Sequence, residues 1–202
     1  MGRMRSSSTV KLRGLWTLLL LGCLRHVFSF PAIYVARYQQ QCTDHPATNF
    51  GKVHDYSSAV DKTVVFTLTH KATGKVVKPA NGASRICLGD AYTVKLSFGA
   101  PSPRNYLLTS SHGSFVAKSN DCDAWCPNRI CSSAPAKEGT ALFSVPCSVG
   151  GGTKVSLKVT TAAGRIPAVG AVLRSASLGL TVDRTCGKCS IAVERSSATL
   201  RG

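Results

Sequence analysis

From about Thr63 onward, apolar and polar residues alternate with a period of two, the spacing that sends successive side chains to opposite faces of a β-strand. Val64, Phe66 and Leu68 share one face of "TVVFTLTH", and Tyr92, Val94, Leu96 and Phe98 share one face of "YTVKLSF", opposite Thr93, Lys95 and Ser97. In "KVSLKV", Val155, Leu157 and Val159 oppose Lys154, Ser156 and Lys158. The pattern predicts strands with one dry and one wet face. Further strands are predicted at Val76 to Pro79, Tyr106 to Ser110, Ala141 to Val145, Ala171 to Leu173, Leu178 to Val182 and Ile191 to Val193. Turn signals separate them at Thr73-Gly74, Gly99 to Pro103, Ser148 to Gly152 and Ala163-Gly164. No window carries a sustained helical stripe. The expected fold is all-β: a disulfide-stabilised, immunoglobulin-like antiparallel β-sandwich, with a small closed barrel as the alternative.

The first residues read differently. Arg3, Arg5, Lys11 and Arg13 precede the apolar run Leu15 to Leu24, which is too short to cross a bilayer as a helix, and small residues follow at Val27-Phe28-Ser29. This predicts a signal peptide over 1–29, cleaved before Phe30, with an uncleaved anchor as the alternative. A single domain is expected over 30–195, its Phe30 to Ser58 portion a polar, strand-poor lead-in pinned by Cys42, and a frayed tail over 196–202. No later segment reads as a membrane span, since Arg174 interrupts the most apolar one. The expected product is exported to the extracellular space.

Cys23 falls in the leader, leaving eight of the nine cysteines: Cys42, Cys87, Cys122, Cys126, Cys131, Cys147, Cys186 and Cys189. In an oxidising compartment these are disulfide candidates, and eight of them allow 105 connectivities. The pair in "TCGKC", Cys186 and Cys189, has redox spacing. It lacks the strand-then-helix frame that lowers a nucleophilic thiol's pKa, so two structural half-cystines are expected.

Charge narrows the partners. Five of the 25 Lys and Arg lie in the leader, so 20 remain against 9 Asp and Glu, a net charge of +11. For an exported chain this favours acidic polysaccharide or an extracellular glycoprotein, engaged through wet-face lysines such as Lys95, Lys154 and Lys158. Nucleic acid and stable membrane insertion are not expected. A cationic host-defence protein acting on microbial surfaces, or a secreted metal or redox protein, are the rival readings.

Candidate chemistry is sparse. His45, His54, His70 and His112 show no metal-ligand spacing, and His45-Pro46 and His112-Gly113 read as turn residues. A copper-dependent oxygenase would need cleavage before His26. Asp121 and Asp123 are too few oxygens for calcium. The only glutamates are Glu138 and Glu194, and no Gly-x-Ser-x-Gly elbow occurs. A non-enzymatic module without cofactor or metal is expected.

The stretch from Cys42 to Cys147 resembles a reeler domain. The resemblance is carried by Cys42-Thr43-Asp44-His45-Pro46, by Leu88-Gly89-Asp90 leading into Tyr92-Thr93-Val94-Lys95-Leu96-Ser97, by Asn105-Tyr106-Leu107-Leu108, and by Cys126 or Cys131 with Pro146-Cys147. It implies a disulfide-bonded β-sandwich used in adhesion, matrix assembly or defence.

Overall fold

The computed structural model of the chain describes residues 30, 34–35, 41–46, 56–77, 84–100, 102–116, 122, 125–132, 134–163 and 173–189. The proposed leader, the Ile191 to Val193 strand and the tail lie outside them, as does His54. Among the described residues ten strands follow in order: β1 Tyr56–Val60, β2 Val64–His70, β3 Ser84–Leu88, β4 Ala91–Phe98, β5 Arg104–Ser110, β6 Ser114–Val116, β7 Arg129–Cys131, β8 Glu138–Ser144, β9 Lys154–Ala163 and β10 Leu173–Gly187. No helix among the described residues is long and apolar enough to cross a membrane.

The strands form two sheets. The first, sheet A, runs β1-β10-β9-β5-β7, with β3 also on β10; sheet B runs β2-β4-β8-β6. The alternation explains their contact. Val64 and Leu68, Tyr92, Val94, Leu96 and Phe98 of β4, and Ala141 and Phe143, all from sheet B, meet Tyr106, Leu108, Val155, Leu157, Val159, Leu180 and Val182 from sheet A in one buried core. Burial of such side chains contributes about 1.5–3 kcal/mol each relative to exposure.

Three expectations need correction. The two sheets are not purely antiparallel: β1 and β3 both run parallel to β10. They lie on one edge of a strand 15 residues long that takes in Leu178 to Val182, expected as a strand of its own, and begins at Leu173; Ala171 and Val172 of the other expected segment lie outside the described residues. Secondly, β1, β3, β6 and β7 are strands that alternation did not separate out, and β1 begins inside the expected strand-poor lead-in.

Thirdly, not every strand has a wet face. All seven residues of β5 and all three of β7 are buried. The reason is a second layer. Phe30, Tyr34, Leu107, Cys122, Cys131, Ala162 and Leu173 form another cluster on the far side of sheet A, so the lead-in covers the outer face of β5, β7 and the end of β9. Burial pushes the Tyr34 phenol up to about 12.

One end of the molecule is closed by a buried ion pair. Arg104 and Asp61 are 2% and 1% exposed, and they join through Arg104 Nη1 and Asp61 Oδ2. Arg104 Nη2 donates to Thr63 Oγ1 at 2.7 Å and to the Gly99 and Ala100 carbonyls at 3.0 and 3.2 Å. The Thr63 amide and hydroxyl donate to Asp61 Oδ1, and Thr161 Oγ1 donates to Oδ2. Burial pushes the Asp61 carboxyl up. The Thr63 hydrogen bonds and the Arg104 charge outweigh it, so the group is held below the usual carboxylate range. The network ties the β1–β2 and β4–β5 connections to β9.

Candidate functional site

The eight cysteines form four disulfides: Cys42 with Cys126, Cys87 with Cys186, Cys122 with Cys131 and Cys147 with Cys189. Cys186 and Cys189 therefore take different partners, and the "TCGKC" motif supplies two half-cystines. Cys87–Cys186 staples β3 to β10. Cys147–Cys189 staples the β8–β9 connection to the end of β10, with Gly89 against it: φ there is +73°, and an added Cβ would lie 2.7 Å from Cys189 Sγ. Peptide mapping of unreduced protein is expected to recover Cys87–Cys186 and Cys147–Cys189 peptides. A Cys186–Cys189 product would contradict this arrangement.

These staples frame a concavity. A cavity of about 300 Å³ is lined by Arg85 of β3, by Thr181, Val182, Asp183 and Arg184 of β10, and by Gly151 and Gly152 of the β8–β9 turn. Two disulfides link its three walls, so its shape is set before any ligand arrives. The turn is also hydrogen-bonded to the strand, Gly152 N–H donating to the Val182 carbonyl at 2.8 Å and Val182 N–H to the Thr153 carbonyl at 3.0 Å.

The pleat fixes which residues share this surface. Thr181 stands beside Lys154 on one side and Arg85 on the other; next along come Gly179 beside Ser156, then Ser177 beside Lys158. Period two puts all of them on the outer face of sheet A. The lead-in covers the β5–β7 half of that face but leaves this half open, with Arg85, Lys154, Ser156, Ser177 and Gly179 exposed. Lys154 Nζ donates to Thr181 Oγ1 at 2.8 Å. Asp183 Oδ1 accepts from the amide and hydroxyl of Thr185, while Oδ2 faces Arg85 Nη1 at 3.5 Å. Those hydrogen bonds, with Arg85 beside them, hold the Asp183 carboxyl below its ordinary range.

Of the three lysines expected to bind, Lys154 and Lys158 lie on this strip and Lys95 does not. Lys95 is on β4, in the other sheet, where its Nζ meets Glu138 Oε2 at 2.6 Å on the opposite side of the molecule. The three do not form one surface. Arg85 and Arg184 were not singled out in the sequence. The signal for Arg85 was faint, a cation one residue from the alternating "ICL", because only the pairing of β3 with β10 brings it to Thr181.

The histidines serve other ends. His45 was expected in a turn, yet it reaches from the lead-in onto sheet A: Nδ1 lies 2.8 Å from Thr160 Oγ1 and Nε2 lies 2.7 Å from Thr109 Oγ1. Burial, with Lys158 nearby, lowers its pKa to about 3, and Asp44 opposes this only partly. His70 closes β2. Its Nε2 is 3.0 Å from Asp90 Oδ2 and its Nδ1 is 3.1 Å from Thr73 Oγ1, the outline of a hydroxyl-imidazole-carboxylate relay. The Nδ1 lone pair also receives the Thr73 amide at 3.2 Å, and Thr73 Oγ1 accepts from the Lys75 amide. The trio thereby ties two turns together. Among the described residues, no three His, Cys, Asp or Glu side chains are grouped to hold a metal ion.

Comparison with protein-family models and with curated proteins gives no match for this chain.

Proposed function

We propose that the chain is a secreted, non-enzymatic binding module that takes acidic polysaccharide, or the acidic glycans of an extracellular glycoprotein, on the open strip of sheet A. The observation that carries this reading is the strip itself: an uncovered surface where Arg85, Lys154 and Lys158, with Arg184 lining the cavity beside it, outnumber the carboxylate of Asp183 among the described residues. Four disulfides support an oxidising, extracellular location. The order β2-β4-β8-β6 against β10-β9-β5 corresponds to the A-B-E-D and G-F-C sheets of immunoglobulin-like sandwiches, which supports that fold type. A reeler-like relationship is consistent with the Leu88-Gly89-Asp90 turn between β3 and β4 and with Cys42 and Cys147 each held in a disulfide, to Cys126 and Cys189, and it would carry the same adhesive or matrix role.

Attraction between exposed charges is screened, so binding to a sulfated polymer should weaken at least tenfold from about 50 to about 500 mM salt, where the screening length falls from well above to well below ~8 Å. Titration of immobilised polymer at several salt concentrations checks this. Affinity unchanged across the range would remove the electrostatic mechanism, because burial of apolar surface is not screened.

A further inference from the structure

We propose that the strip reads sulfate esters carried in series on an extended polysaccharide, at least two cationic positions being engaged at once. This rests on the reading of the strip as a site for acidic polymer and gives that polymer its chemistry. Lys154, Thr181 and Arg85 occupy one transverse row across β9, β10 and β3. Lys154 Nζ leans onto Thr181 and Arg85 Nη1 faces Asp183, so this row gathers its donors over β10, while Lys158 stands four residues along β9, roughly 13 Å from Lys154 at the backbone. A single small anion does not span that distance; consecutive anions on a polymer do.

The donors favour sulfate over carboxylate. Arg184 comes from the turn side, Lys154 and the Thr181 hydroxyl from the middle and Arg85 from the edge, a set that a group with three terminal oxygens satisfies better than one with two. The same surface is poorly suited to lipid or to single-stranded nucleic acid. Ser156, Ser177, Gly179 and Thr181 offer no apolar side chain to enter a bilayer and no ring on which a base could stack.

Two residues act on these cations without touching ligand. Gly151 is a positioning residue: Arg184 lies across it, and an added Cβ would collide with Cγ and Cδ of that arginine. Asp183 is an internal competitor, its carboxylate fixed by Thr185 and turned toward Arg85. A sulfate on Arg85 replaces a weak, exposed ion pair.

Calorimetry on the exported full chain tests this, with sulfated dextran oligosaccharides of increasing length, polygalacturonate of matched length, inorganic sulfate, neutral dextran and anionic phosphatidylserine vesicles. The expected result is an affinity rising about tenfold or more from the shortest to the longest sulfated oligomer, with polygalacturonate about tenfold weaker. Gly151→Ala should weaken binding about threefold at unchanged charge, and Asp183→Asn should strengthen it about threefold, each variant first shown to melt like the parent. Equal affinity for polygalacturonate would overturn the sulfate assignment and leave the acidic-polymer reading standing. Equal affinity for short and long oligomers, or for inorganic sulfate, would overturn the serial contact. Weaker binding by Asp183→Asn would overturn its role as competitor. Binding to vesicles alone, or to no polyanion, would remove the parent reading as well.

Discussion

Replacing Asp61 with alanine is expected to destabilise the fold by about 3–5 kcal/mol, because it removes the buried carboxylate that meets the Arg104 guanidinium in a site from which water is excluded. Arg104 is 2% exposed, and an arginine cannot discharge itself by losing a proton. Its contacts to Thr63, Gly99, Ala100 and Thr161 are to neutral oxygens, whereas Asp61 meets it with a charge. Removing the charge together with its partner is a different perturbation. Asp61→Ala combined with Arg104→Met should cost less than the sum of the single changes, since the buried cation is gone as well. Urea midpoints for the two singles and the double measure this coupling. Strict additivity would show that the pair contributes nothing beyond its separate contacts.

The second large effect is a loss of stability in mild acid through His45. Its folded pKa of about 3 lies below its ordinary 6.5. The unfolded chain therefore binds a proton more readily than the folded one. Stability from this group is complete above about pH 6.5, falls by up to about 1.4 kcal/mol per unit as pH drops, and levels off below about 3. Between pH 6.5 and 4.5 the expected loss is roughly 2–3 kcal/mol. Asp61 does not act in that interval: its folded pKa lies below its ordinary 3.8, so its contribution is present above that value and lost as pH falls through the lower folded one. Denaturant titrations at several pH values separate the two windows. In His45→Gln, which keeps hydrogen-bonding groups toward Thr109 and Thr160 but does not titrate, the fall between pH 6.5 and 4.5 should largely disappear. Persistence of the full slope in that variant would assign it to other groups. Because Cys42–Cys126 tethers the segment that carries His45, acid opening there is expected to be local at first.

How far these features could be read in advance depended on the range of the interaction. Strand β4 was plain because Tyr92, Val94, Leu96 and Phe98 alternate with polar residues over seven positions, and β9 was plain through Val159 for the same reason. Beyond Val159 the alternation breaks at Thr160 and Thr161, both polar and both buried. A segment more than a hundred positions earlier covers one of them, and no local pattern carries that information. The unbroken run Tyr106-Leu107-Leu108 was the available clue, since consecutive apolar residues need two dry faces. Strands of three residues such as β6 and β7 are too short for a period to register.

The site divides in the same way. Lys154 and Lys158 were visible as the wet side of β9, and their common face follows from spacing alone. Lys95 had the same local signature. Its separation from them is a matter of sheet membership, which alternation does not encode. Arg85 joins them only through a parallel pairing across about a hundred residues, and Arg184 only because Gly151 leaves room for its stem. The cysteines showed their number but not their partners.

The most direct test of the central claim compares two charge-matched variants for binding to a sulfated polymer at about 150 mM salt, where the screening length is about 8 Å. One carries Lys154→Gln and Lys158→Gln on the open strip. The other carries Lys71→Gln and Lys95→Gln, with Lys95 on the outer face of sheet B and Lys71 in the turn that follows β2. Each loses two positive charges, so a nonspecific attraction set by net charge would weaken equally in both. The strip variant is expected to lose about tenfold in affinity, as two local contacts of roughly 0.7 kcal/mol each would require. The sheet B variant should bind within about twofold of the parent, the pair being more than a screening length away. Equal losses in the two variants, or a loss confined to the sheet B pair, would contradict the assignment of binding to this face.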